Sequence, residues 1–309
     1  MEEGRVSENR AAGSGGGLYR QGRGAFTMEL LGGEISGNNG KNYGGAIFRK
    51  FNANMPNTTG GTFNMYGGTI KNNTAKNGGA FFSTTGGTIN MTGGTISGNK
   101  ATGLNGNGGG VYVASLDNTS SKFIMNSGTI SGNTASDYGG GVYVYSTTEL
   151  GGTFTMNGGT ITGNTATAGN GGGIYIHFNA GNVSISNATI TGNKASATGN
   201  TSYGHGGGIY SERGVTVKNV TITGNNSTFE GGGIYGKGAI TLTDATVTDN
   251  NQYDVYYDGT ESTNPKLTVS GSVKAGYYAN YDWKLPILVS GALSEDSVIR
   301  VGVREGINP

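Results

Sequence analysis

The side chains able to do chemistry are few and scattered. Carboxylates stand at Asp117, Asp137, Glu149, Glu212 and Glu230, and none recurs at one repeat position before Asp244 and Asp249. Hydrolytic or lyase chemistry needs two acids converging on a bond, or several around a calcium ion, and no spacing here supplies them. The two histidines, His177 and His205, are too few for a metal centre and read as loop residues. With no cysteine there is neither a thiolate nucleophile nor a disulfide. Glycine runs such as Gly171 to Gly173 lack the lysine and the strand-to-helix setting of a phosphate loop, and no GGxGxD calcium repeat is present. No catalytic residue, metal or cofactor is therefore expected. The residues that do recur are tyrosines, at Tyr112, Tyr143, Tyr175, Tyr210 and Tyr235, and asparagines, at Asn38, Asn73, Asn99, Asn133, Asn164, Asn193, Asn225 and Asn250. Stacked phenol rings suit sugar rings or protein partners, and stacked amides can pass hydrogen bonds along a column.

These residues are positioned by a repeat, seen most clearly from Thr153 to Ile176, TFTMNGGTITGNTATAGNGGGIYI. Each unit holds three short apolar beats with period-two alternation, the pattern of strands with one buried face. The middle beat centres on an aliphatic: Val6, Ile35, Ile70, Ile96, Ile130, Ile161, Ile190, Ile222 and Val247. The anchors recur every 25 to 35 residues or so, a solenoid period, and an asparagine follows each by three positions, from Asn9 to Asn250. This reads as an asparagine ladder at a turn, the asparagine tolerating a left-handed backbone there. The first strand reads Phe26-Thr-Met28, Phe63-Asn-Met65, Phe123-Ile-Met125 and Phe154-Thr-Met156, with outer residues facing the core. A polar loop of variable length follows the asparagine and leads to a glycine run and the third strand, GGGVY or GGGIY.

Three strands recurring in one order must stack in parallel on their own copies. The expected fold is all-β, a single-stranded right-handed parallel β-helix with three parallel sheets and about nine coils at the ~4.8 Å rung spacing. Residues 1–273 form the helix, opening mid-coil at Val6 like a piece of a longer solenoid. Residues 274–309 are expected to be capping strands, built on Pro286 to Val289 and Val298 to Val303.

Composition supports the same picture. Glycine accounts for 63 of 309 residues and hydrophobic residues for 33%, far from an ordinary globular domain. Twenty Lys and Arg against 19 Asp and Glu argue against a nucleic-acid partner or a polybasic membrane patch. No apolar run reaches the length of a membrane span, so direct insertion is not expected. The charged start MEEGRVSENR is not a signal peptide, so an export signal would lie outside this sequence.

FTMNGG followed by ISGNTA and GGGVY resembles the β-helix repeats of bacterial surface proteins, and Gly44 to Ile47, GGAI, is similar to the short repeat of chlamydial polymorphic outer-membrane proteins. That resemblance, over residues 6 to 273 or so, implies an extracellular, surface-displayed adhesin or stalk, monomeric, binding a host or bacterial surface glycan or protein. Parallel β-helices also resemble pectate lyases and polygalacturonases, so a polysaccharide lyase or hydrolase is the alternative function.

Two outward stripes are candidate binding faces. In the third strand an aliphatic column (Val111, Val142, Ile174, Ile209, Ile234) precedes the tyrosines, and alternation lets only one of the two face the core. Aliphatics inward and tyrosines outward is the favoured parity, although Arg20, Arg49 and Ser211 at the next position leave it open. The tyrosines then form an exposed band for a ligand, or a structural stack under the loops. The second stripe flanks the anchors: Thr129/Ser131, Thr160/Thr162, Thr189/Thr191, Thr221/Thr223 and Thr246/Thr248. It makes a flat hydroxyl array resembling that of ice-binding β-solenoids, interrupted by Glu34 and Lys71.

Overall fold

A computed structural model of the chain describes residues 1–22, 26–51, 61–84, 86–115, 119–147, 151–197, 202–259, 267–279 and 287–303. The described residues are all strand and turn, without a helix, and neighbouring strands pair in parallel. The molecule is a parallel β-solenoid with a stacked asparagine ladder.

The three expected strand columns are present in register. The anchor column runs Val6, Ile35, Ile70, Ile96, Ile130, Ile161, Ile190, Ile222, Val247, each paired with the next. The first-strand column stacks Phe123 on Phe154 and Met125 on Met156, all fully buried. Alternation thus sends every second residue of these strands into one apolar interior, the pattern that drives burial along the whole stack.

The structure departs from the sequence reading in three places. Near the N-terminus, Met28 and Leu30, not Phe26 and Met28, pair with Phe63 and Met65, a slip of two residues that keeps the parity but frees Phe26 from the core column. Second, the segment after each ladder asparagine up to Asn225 begins with a short strand rather than a loop. Thr134–Ala135, Thr165–Ala166 and Lys194–Ala195 pair in parallel as part of a separate eight-stranded sheet. Its alanines are buried, and only a small side chain fits in the inward position beside the turn. Third, the left-handed residue of that turn is the glycine before the asparagine (Gly132, φ 60°; Gly163, φ 62°), where Cβ would strain the backbone. Asn72 and Asp249 fill the same position in two turns, as their side chains permit. In the tail, Ile287–Leu293 pairs in parallel with Leu267–Gly271, and Val298–Val303 with Lys274–Ala279. Val289 and Val301 remain about half exposed there (53% each), while Trp283 and Pro286 lie outside the described residues.

Candidate functional site

The ladder asparagines are saturated. Asn133 Oδ1 accepts from the backbone N and from Nδ2 of Asn99, at 2.9 Å each. Its Nδ2 donates to Ile96 O at 3.0 Å and to Asn164 Oδ1 at 2.9 Å. Two donors and two lone pairs are thereby all used inside the protein. The same set recurs at Asn38, Asn73, Asn99, Asn164, Asn193 and Asn225. At Asn250 the column closes on a carboxylate, because Asp254 Oδ1 accepts from Asn250 N and Nδ2 at 3.1 Å. These side chains face one another within the wall and offer nothing to a ligand.

The tyrosine column has the favoured parity, and it lies under cover. Its aliphatic neighbours lie in the main core, whereas Tyr112, Tyr143, Tyr175, Tyr210 and Tyr235 form a separate cluster on the opposite face of the same strands. They stack at centroid distances of 4.7 to 5.1 Å. Each is 8% exposed or less, so of the two readings, an open band or a stack under the loops, the structure shows the covered stack. The cover is itself aromatic. Tyr43 packs on Phe82 at 4.5 Å, Tyr138 on Tyr175 at 4.7 Å, His205 on Tyr235 at 4.6 Å and Tyr253 on Tyr256 at 5.6 Å. Sequence reasoning missed this layer, although it left a signal: Tyr43, Tyr138 and His205 each stand immediately before a glycine run. Asparagines at that position tie the rungs together, Asn107 Oδ1 accepting from Tyr138 N at 3.0 Å and Asn170 Oδ1 from His205 N at 2.9 Å.

Burial pushes the phenols of this column far above their ordinary range, with nearby Glu212 and Asp258 adding to the effect at Tyr175 and Tyr235 respectively. Tyr235 OH donates a short hydrogen bond to Asp258 Oδ2. His205 is buried with Nδ1 3.0 Å from Glu230 Oε2, and serves as part of the cover. Desolvation holds the His177 imidazole below its usual value against the opposing pull of Glu212. Asp137, half-buried beside Tyr138, is pushed up to about 6 by desolvation. Among the described residues no three histidines, aspartates or glutamates gather as a metal site would require. Asp117 and Glu149 lie outside the described residues.

Comparison with protein-family models, curated proteins and solved structures returns no match to this chain. Function must therefore be read from its own surfaces.

The threonine stripe is an outward strand face that the loops leave partly open. Thr129, Thr160, Thr189, Thr221 and Thr246 pair in one column, and Ser131, Thr162, Thr191, Thr223 and Thr248 in the next. All are partly or fully exposed while the aliphatic between them is buried. The expected interruption is an ion-pair cluster, in which Glu34 bridges Lys71 at 2.7 Å and Arg5 at 3.3 Å across three rungs.

Proposed function

We propose that this chain is an extracellular, surface-displayed stalk or adhesin module that binds or displays rather than catalyses. We take it to be wound as a right-handed parallel β-helix of about nine coils closed by residues 274–309. The observation that carries the reading is the unbroken run of saturated asparagines from Asn38 to Asn225. A wall in which each of these asparagines is hydrogen-bonded to the next through a buried amide suits a rigid spacer. The resemblance of its repeats to those of bacterial surface proteins supports the same role. Because the tyrosines are covered, the regular, partly open threonine columns are the strand face we assign to a surface glycan or protein.

A glycan array and a cell-adhesion assay test this. Binding that is lost in Thr189→Lys/Thr221→Lys and kept in Tyr19→Ala fits the reading, since Tyr19 is an exposed ring away from the threonine face. Absence of any bound glycan or cell, or binding unaffected by the lysines, refutes it. The registered hydroxyl columns also favour a second reading, ice binding, because strand and rung spacings make a flat lattice of hydroxyls. Thermal hysteresis abolished by Thr191→Lys would select it, and hysteresis absent from the unaltered protein would remove it.

A further inference from the structure

The second inward position of the third strand carries valine or isoleucine through the middle of the solenoid: Val113, Val144 and Ile176, all fully buried and paired in sequence. At the N-terminal end the same column reads Arg20, Arg49, Ser83, each paired with the next. Parity therefore puts Arg20, Arg49 and Ser83 on the inward side of three successive rungs, with Arg49 and Ser83 buried and Arg20 exposed at the end of the stack.

Arg49 is only 5% exposed, and none of its Nε, Nη1 and Nη2 atoms has a hydrogen-bond partner. The Ser83 hydroxyl is also buried and without a partner. No carboxylate among the described residues forms an ion pair with either arginine. A buried cation without a counter-charge is costly, and here desolvation alone lowers the Arg49 pKa to about 10. The guanidinium lies 5.4 Å from the Phe26 ring centroid and against Gly87, where a Cβ would fall 1.7 Å from Nη1. Arg20 faces the same ring at 5.0 Å. The two-residue register slip is what brings Phe26 to this place.

Arg20, Arg49 and Ser83 line one cavity of about 160 Å³, whose remaining walls include Leu18, Phe26, Ile47, Phe63, Phe81 and Ile89. Arg20 and Tyr19 on its rim are exposed, so it reaches the surface. A volume near 150 Å³ with apolar walls accepts one benzene-sized body. The planar fork of an arginine matches a carboxylate through two parallel N–H···O bonds.

We propose that this cavity is a binding site for a small organic carboxylate with a compact apolar body, its carboxylate held by Arg49 and its body seated among the phenylalanines. Arg20 adds a second positive charge at the mouth, and the Ser83 hydroxyl a further donor.

Titration calorimetry on the full 309-residue chain tests the site with benzoate as probe, against benzyl alcohol and acetate. One benzoate binds per chain, and the two controls, lacking either the charge or the apolar body, bind at least about tenfold more weakly. Arg49→Leu weakens benzoate by about tenfold or more, and Arg49→Lys falls between, since it keeps charge but not the fork. Because leucine relieves a buried unpaired charge, the urea midpoint of Arg49→Leu matches or exceeds that of the unaltered protein, which verifies that the variant is folded. Heat of binding absent at roughly 10 mM benzoate, benzyl alcohol binding equally well, or undiminished affinity in the folded Arg49→Leu variant overturns the assignment.

Discussion

Replacing Asn133 with alanine removes four hydrogen bonds from the wall at once. Asn99 N and Nδ2 lose their acceptor, and Ile96 O and Asn164 Oδ1 lose a donor. Each buried bond is worth about 1 kcal/mol net, so the loss comes to about 4 kcal/mol, and orphaned partners push it upward. Partial relief comes from Asn164 Oδ1, which still accepts from the backbone N of residue 133. At the open end of the ladder, Asn9 is exposed and its Nδ2 donates only to Asn38 Oδ1, at 2.8 Å. Asn9→Ala therefore costs about 1 kcal/mol or less. Asn133→Asp separates hydrogen bonding from turn preference. Aspartate keeps both acceptor contacts and suits the turn, yet it cannot donate, and it sets a buried negative charge against Ile96 O and Asn164 Oδ1. It should cost at least as much as alanine near neutral pH. Urea midpoints measure the loss, and amide exchange at residues 98–102 and 163–167 locates it on the adjoining rungs. Comparable losses for Asn9→Ala and Asn133→Ala, or an Asn133→Asp variant as stable as the unaltered protein, would show that the amide column is not what joins the rungs.

The covered aromatic layer yields a second expectation: Tyr175→Ala should cost about 3–5 kcal/mol, as for other large buried rings, while Tyr175→Phe should change the urea midpoint little, because the buried ring supplies the packing and no described residue hydrogen-bonds its hydroxyl. A Tyr175→Ala variant as stable as the parent would contradict the packing role. Asp137 supplies a pH dependence. Its folded pKa of about 6 lies above the ordinary carboxylate value, so its contribution is fully present below about pH 4 and is lost as pH rises through about 6. Asp137→Asn should match the parent near pH 4 and exceed it in stability near pH 7.5. Parallel stability curves for the two proteins across that interval would refute the assigned burial cause.

Repetition made much of this molecule legible before any coordinates. Periodic anchors, and an asparagine three residues after each, determine a stack, because no single beat is long enough to bury itself. The alternation along GGGVY also separates its aliphatic and aromatic columns. What alternation does not encode is which residues a loop returns to cover, since the covering side chains of Tyr43, Tyr138 and His205 come from segments of unequal length. Local pattern likewise left Arg20 and Arg49 on an undecided face, for their charge argues outward while their register with Val113 places them inward. The slip that frees Phe26 and the short alanine strand beside each turn were settled by hydrogen bonding between rungs. Sequence alone thus determined the winding and its ladder, through interactions that repeat. The tertiary structure decided what is covered and what is charged inside, because those depend on contacts that each rung makes only once.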